Sequence, residues 1–160
     1  MGIVNSVASE GNEKWSTASF RIAGDELRPD QITATLSLEP TQSGVKGERF
    51  SARHSAVRRT SFWLLKCPLS NSLPLTEHLE WLLDLFEPKI GLINSIAEGS
   101  KIMLLCGFSS GNGQGGFTLE AKTLQRIASL GIAFSLDLYP PESAAEAAGG
   151  PDPAGDSQPR

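Results

Sequence analysis

Residues 101–139 constrain the fold of this chain more than any other stretch. They begin with the apolar run Lys-Ile-Met-Leu-Leu-Cys, continue through a glycine-rich segment and a short helical pattern, and end in residues 132–139, where apolar and other side chains alternate. Alternation with a period of two is typical of a half-buried strand. The stretch therefore predicts a strand, a glycine loop over residues 107–116, a short helix and a second strand.

Helical spacing of apolar residues predicts the helices of the chain. The strongest pattern covers residues 75–86, and Pro88 can begin a further helix because its missing N–H costs nothing there. Pro29 begins a shorter helix, and the last helix is predicted to carry Leu124, Ile127 and Ala128 on its one buried face. Each helix has one apolar face, so each is expected to pack against another layer of structure.

Two earlier segments predict strands. Residues 18–23 alternate apolar and polar side chains, and residues 61–67 are rich in the aromatic and bulky residues that strands favour. The order of elements predicts an α+β fold, a two-layer sandwich with helices on one face of a mixed or antiparallel sheet of four or more strands. A weak similarity between residues 19–40 and 103–139 suggests an internal duplication, related to ferredoxin-like folds.

The length of 160 residues predicts one domain, which we place at residues 16–139. Residues 1–15 have no periodic pattern and are expected to form a flexible lead. Residues 140–160 hold five prolines and no bulky apolar residue. They are predicted to be a disordered tail, because they cannot bury enough surface to offset the entropy of ordering.

Composition argues against several classes of protein. The formal net charge of −4 is not that of a general nucleic-acid binder, and no apolar run approaches the roughly 20 residues that span a bilayer. Cys67 and Cys106 lack the spacing of a zinc site with His54 or His78, so they are expected to be buried, reduced thiols of a cytoplasmic protein. We predict no metal, no cofactor and no catalytic constellation.

Residues 41–60 form the first candidate binding site, a basic loop that could include short strand pieces. Only Glu48 opposes its basic residues, which are Lys46, Arg49, Arg53, Arg58 and Arg59. Such side chains bind carboxylates and phosphates. Solvated surface charge is one interpretation, and an anionic partner is the other, with a protein favoured over nucleic acid because only Phe50 could stack on a base.

The glycine run at residues 111–116 is the second candidate. Backbone N–H groups of a glycine-rich turn can bind phosphate, which would place Gln114 and Gly115 at a ligand, with Arg21 or Asp25 nearby. The run lacks the Gly-Lys-Ser/Thr ending of a phosphate-binding P-loop. A turn that uses glycine for its positive φ is therefore the favoured interpretation, and a ligand loop is the alternative.

His78 lies beside acidic residues in the strongest helical pattern, residues 75–86. Its neighbours Glu77 and Glu80 place it on the expected polar side, so we predict a solvated side chain and not a catalytic one. No Ser-His-Asp arrangement can be proposed from spacing, because such triads are defined by their geometry.

Several short phrases, in order along residues 18–139, resemble the bacterial family called domain of unknown function 4279. The phrases are Phe20-Arg-Ile-Ala-Gly-Asp, Pro29-Asp-Gln-Ile-Thr, Leu38-Glu-Pro-Thr, Lys46-Gly, Trp63-Leu-Leu, Gly115-Gly-Phe and Leu136-Asp-Leu-Tyr. The resemblance implies a small, soluble bacterial α+β protein. It carries over no catalytic residue.

Three functional hypotheses follow. The first is a non-catalytic cytoplasmic protein that binds another protein, for which an immunity-type or regulatory role would fit by analogy. The second is a small-molecule or phosphate-binding protein or hydrolase that uses the 111–116 glycine loop. The third is nucleic-acid contact through the 46–59 basic loop.

Overall fold

The computed structural model describes residues 14–51, 54–111 and 114–139. Most of the predicted lead and all of the predicted tail lie outside these residues. The strands are β1 (Trp15–Gly24), β2 (Gln42–Gly44), β3 (Arg49–Ser51), β4 (His54–Val57), β5 (Ser61–Lys66), β6 (Lys101–Ser109) and β7 (Ala133–Tyr139). The helices are α1 (Pro29–Leu36), α2 (Leu75–Phe86), α3 (Ile90–Ile96) and α4 (Ala121–Ser129), with a 3₁₀ turn at Glu87–Lys89 between α2 and α3.

Five strands form one mixed sheet in the order β2-β5-β1-β6-β7. The central strand β1 runs antiparallel to both β5 and β6, whereas β6 and β7 are parallel and are connected through α4. Strands β3 and β4 form a separate two-stranded sheet, which we call the ribbon. The predicted α+β fold with a sheet of four or more strands is confirmed.

Helices α1, α2 and α4 pack on one side of the five-stranded sheet. The core lies between the two layers, because every second residue of β1 points into it: Ala18, Phe20 and Ile22 are fully buried. The ring of Phe20 stacks on Phe86 of α2 at a centroid distance of 3.8 Å, and Trp63 of β5 meets the same ring edge-on. Aromatic contact thus joins the sheet to its main helix.

A charged cluster also joins the helices to each other. The guanidinium of Arg126 in α4 pairs with three carboxylates of α2 and the turn after it, those of Glu80, Asp84 and Glu87. Its side chain is only 16% exposed. These hydrogen-bonded pairs raise the pKa of Arg126, with Glu87 the main cause. The buried residues of α4 are Thr123 and Ile127.

The prediction that Leu124 is buried is wrong, because its side chain is 50% exposed. The helix is turned so that Thr123 and Ile127, four residues apart, face the core, while Arg126 takes the side towards α2. The sequence pattern missed this because a threonine and an arginine hold positions that a purely apolar face would give to leucine.

The two segments that resemble each other in sequence differ in content. Residues 19–40 contain part of β1 and α1, whereas residues 103–139 contain most of β6, α4 and the parallel strand β7. An internal duplication therefore stays a prediction.

Since β1 lies between β5 and β6, Cys67 and Cys106 approach Ala18 from opposite sides of β1. Both are buried free thiols, and burial raises the pKa of Cys106 to about 12.

Candidate functional site

The face of the sheet opposite the helices carries a cleft. By strand register, Arg21 of β1 lies across from Leu64 of β5, and this face also displays Phe62. The ribbon and the segment after it form the wall of the cleft, with Phe50 and residues 56–60. The cleft has a volume of about 790 Å³. We call it the sheet-face cleft.

The turn that precedes the ribbon fixes the position of Arg58. Gly47 has a φ of +89°, a conformation that suits glycine, and the backbone N–H of Gly47 donates to the carbonyl oxygen of Arg58 at 2.9 Å. The N–H of Arg58 in turn donates to the carbonyl oxygen of Glu48 at 2.8 Å. The Glu48 carboxylate accepts from the N–H of Val45 and closes the turn. The backbone at Arg58 is therefore held by hydrogen bonds on both sides.

The guanidinium of Arg58 lies between two aromatic rings. Its Cζ atom is 4.9 Å from the ring centroid of Phe50 and 5.0 Å from that of Phe62. The side chain also passes over Gly44 of β2, where an added β-carbon would lie 2.6 Å from its Nε atom. Cation–π contact with both rings orients the guanidinium and leaves its edge to carry N–H donors outward.

A second guanidinium shares one of these rings. The Cζ atom of Arg21 lies 5.3 Å from the centroid of Phe62, so the two cations cannot be more than about 10 Å apart. Arg21 is partly buried, and it stands on the central strand of the sheet. Two like charges this close repel each other, and a bound anion would relieve that repulsion.

The sheet-face cleft is electrostatically unbalanced. Its lining holds three arginines, Arg21, Arg58 and Arg59, and no carboxylate. Within residues 14–51, 54–111 and 114–139, none of the three forms an ion pair. Arg126 shows the contrasting case, since three carboxylates neutralise it. A cleft with fixed positive charge and apolar walls attracts anions.

The predicted basic residues divide into several groups. Arg58 and Arg59 line the cleft, whereas Arg49 lies in β3, paired with Val57 of the ribbon, and is exposed. Lys46 instead pairs with Asp25 at 2.6 Å. This hydrogen-bonded pair lowers the pKa of Asp25 and raises that of Lys46. Arg53 lies outside the described residues.

The predicted basic loop, residues 41–60, contains three short strands, β2, β3 and β4. Arg49 lies in β3, and Arg58 follows β4 directly. The strand pieces that the sequence allowed for are present. Binding at any of these residues stays a prediction.

The glycine segment lies away from the cleft. A β-carbon at Gly115, whose φ is +147°, would lie 3.5 Å from the ring of Phe108. Phe108 pairs with Ser16, which is five residues and roughly 17 Å along β1 from Arg21. Ser16 and Arg21 also point to opposite faces of the sheet. The structure therefore does not bring Gln114 and Gly115 to Arg21.

A smaller cavity of about 290 Å³ borders this glycine segment. Gly116, Lys14 and Phe108 line it together with Pro74 and Thr76 at the beginning of α2. Gly116 thus lies near a helix N-terminus, but the helix is α2 and not the helix that follows it in sequence.

The prediction that His78 is solvated is wrong, because its side chain is fully buried. His78 is three residues after Leu75 and four before Leu82, so it lies on the apolar face of α2. Desolvation by burial lowers the pKa of His78, and backbone groups of Ser70 and Leu73 beside the ring oppose part of that shift.

Sequence reasoning missed the parts of the cleft that come from regular strands. Arg21 and Phe62 were read as strand residues, and only the register of β1 and β5 shows that they meet. No local signal marks Arg21, because it occupies a polar position of an alternating strand. Trp63, the neighbour of Phe62 on β5, points to the other face of the sheet and is fully buried in the core.

In the described part of the chain, no cluster of three or more histidine, cysteine, aspartate or glutamate side chains is placed to hold a metal ion. Likewise, no described helix is both long enough and apolar enough to cross a membrane.

Fold and site together define a small α+β domain with a cationic cleft on the uncovered face of its sheet. The chain belongs to the family described as domain of unknown function 4279, whose family model matches residues 13–141. The resemblance in sequence is confirmed by this match, and a bacterial origin stays a prediction. No curated protein and no solved structure matches the chain.

Proposed function

We propose that this protein is a non-catalytic binding module that receives an acidic segment of a partner protein in the sheet-face cleft. One observation carries the proposal: three arginines line the cleft, and no carboxylate does. A carboxylate of the partner would accept hydrogen bonds from the exposed edge of Arg58 or from Arg21, and two parallel N–H···O bonds give such a pair its geometry.

The arginine between two rings supports binding over solvated charge. Phe50 and Phe62 restrict the rotamers of Arg58 before any ligand arrives. A long side chain that is already ordered loses less entropy on binding, so more of the interaction energy appears as affinity. An arginine with only solvent around it would have no such advantage.

The surface around the cleft supports a protein as the partner. Phe50 is 55% exposed and Val57 is 49% exposed, and both lie on the ribbon beside the arginines. Exposed aromatic and aliphatic side chains next to arginine are typical of protein–protein interfaces. The proposal includes a regulatory or immunity-type role by analogy, and a cytoplasmic location, which the two reduced thiols support.

A small anionic ligand is the second candidate. The volume of about 790 Å³ lies in the range of small-molecule sites, and the lining combines apolar side chains with a few cationic groups. The glycine segment is not needed for this candidate, because it lies at another part of the sheet.

The test uses fluorescent peptides with glutamates beside one leucine, compared with the same peptides carrying glutamine. Anisotropy should show at least about tenfold tighter binding of the acidic peptides, and Arg58→Ala or Arg21→Ala should weaken it by about 10- to 100-fold, the range for a hydrogen bond to a charged group. Arg28→Ala is the matched control, because Arg28 is exposed and does not line the cleft.

Equal binding of the acidic and amide peptides, or equal loss in Arg58→Ala and Arg28→Ala, would reject the proposal. Thermal-shift measurements with inorganic phosphate and dicarboxylates distinguish the small-ligand candidate from the peptide-binding proposal. The small-ligand candidate is favoured if these anions raise the Tm, if Arg58→Ala removes the rise, and if no peptide binds. Tight binding of single-stranded oligonucleotides at low salt would instead favour nucleic acid.

A further inference from the structure

Strand β7 forms an unprotected edge of the sheet. It is seven residues long, and no other strand in the described part of the chain pairs with its outer side. The opposite edge, β2, is only three residues long. Natural edge strands are usually kept short or carry lysine or proline, because unpaired backbone groups attract another strand. β7 has neither residue type, and Asp137 is its one charge.

The same edge exposes apolar side chains. Leu138 is 69% exposed and Phe134 is 37% exposed, while Leu136 between them packs against the core. All three point to the helix side of the sheet, because alternate residues of a strand share a face. Leu124 of α4, the helix that packs on β7, is also 50% exposed. Apolar surface and unpaired backbone therefore occur together along one strand.

We propose that β7 pairs with β7 of a second copy of this chain, antiparallel and centred on Leu136. In this register Phe134 lies opposite Leu138 of the second copy, so the exposed apolar side chains cover each other. Ser135 lies opposite Asp137 of the second copy, so the two aspartates avoid a direct contact. The pattern of charge and apolar side chains is therefore complementary to itself, which a two-fold dimer requires.

The length of the strand sets the strength of this contact. Seven residues extend over roughly 23 Å, and a contact along one strand edge of that length is smaller than most stable interfaces. The dimer should therefore form reversibly, at micromolar or higher concentration. The cleft is lined by the ribbon, residues 58–60 and strands β2, β5, β1 and β6, and not by β7, so the dimer would leave both clefts open.

The first test is sedimentation velocity over a concentration series from a few to several hundred micromolar. The unmodified protein should shift from monomer to dimer, and Leu138→Lys with Phe134→Lys should shift the midpoint at least tenfold higher. Leu92→Lys is the matched control, because Leu92 is 46% exposed on α3. A monomer throughout the series, or the same midpoint in the β7 and Leu92 variants, would overturn the proposal.

The second test fixes the register. A mixture of Ser135→Cys and Asp137→Cys proteins should form a disulfide-linked dimer under mild oxidation, because directly opposite residues lie within disulfide reach. Each variant alone should cross-link at least tenfold more slowly, since its own copies are diagonal neighbours at about 7–8 Å. The native thiols are buried and do not compete. Equal cross-linking in the mixture and the single variants would reject the centre at Leu136.

Discussion

The two faces of strand β1 differ in role: one belongs to the core, and the other lines the sheet-face cleft. On one face Ala18, Phe20 and Ile22 are fully buried under the helices. On the other, Arg21 stands partly exposed in a cleft whose lining contains no carboxylate. Residues that are adjacent in sequence therefore belong to the core and to the candidate site. Substitutions on the helix-facing side of β1 should lower stability, and substitutions on its cleft side should weaken binding.

The two layers also treat arginine differently. Arg126, on the helix side, is surrounded by three carboxylates, whereas Arg58, on the open side, lies between two aromatic rings. A neutralised guanidinium joins structural elements, and an oriented guanidinium without a carboxylate is ready to receive one. The surroundings of an arginine thus distinguish a structural role from a candidate binding role.

The largest effect should come from Phe20→Ala. The ring is fully buried and stacked on Phe86, so its removal should lower the free energy of unfolding by about 4 kcal/mol. Arg21→Ala is its neighbour and control, and should cost less than about 1 kcal/mol because it loses mainly one cation–π contact. Urea unfolding measures both. A similar loss in the two variants would contradict the division of labour between the faces.

Arg126→Ala should have an intermediate effect of about 2 kcal/mol, since it breaks charge-assisted hydrogen bonds to three carboxylates and leaves them to repel one another. Lys122→Ala on the same helix is the control, because its side chain is exposed and forms no described ion pair. Thermal and urea unfolding should rank the two. If the two variants lose equal free energy of unfolding, the charged cluster does not stabilise the contact between α4 and α2.

The smallest effect concerns His78 and pH. Burial lowers its pKa in the folded state, so below about 6.5 the unfolded chain binds the proton and the folded chain does not. Stability should therefore fall as pH drops below 6.5, by less than about 1.4 kcal/mol per pH unit from this group. His78→Leu should flatten the fall. Urea midpoints between pH 7.5 and 5 provide the measurement, and parallel curves for the two proteins would disprove the prediction.

The strong periodic segments could be predicted from the sequence. Alternation around Phe20 placed β1 correctly, and the leucine spacing of 75–86 coincides with α2. These signals succeed because burial of one face fixes both the period and the element. His78 shares that buried face, although its polar side chain and its glutamate neighbours Glu77 and Glu80 predict an exposed position.

The cleft could be predicted only in part. Arg58 and Arg59 were chosen for their charge, which is visible in sequence, but their partner Arg21 depends on the pairing of β1 with β5. Lys46 has the same charge and yet is paired with Asp25, 21 residues away. Strands of three or four residues, such as those of the ribbon, have too few positions to show a period. The sequence alone therefore does not show which distant residues and strands pair with each other.

The contact between Gly44 and Arg58 has a consequence for how this family can vary. Gly44 is buried although it has no side chain, because the arginine lies across it. A larger uncharged residue at 44 would push the guanidinium away from the sheet and off the Phe62 ring, without changing the charge of the protein. The two positions are therefore coupled: relatives that keep the arginine should keep the glycine, and those that gain a side chain at 44 should lose the cation at 58.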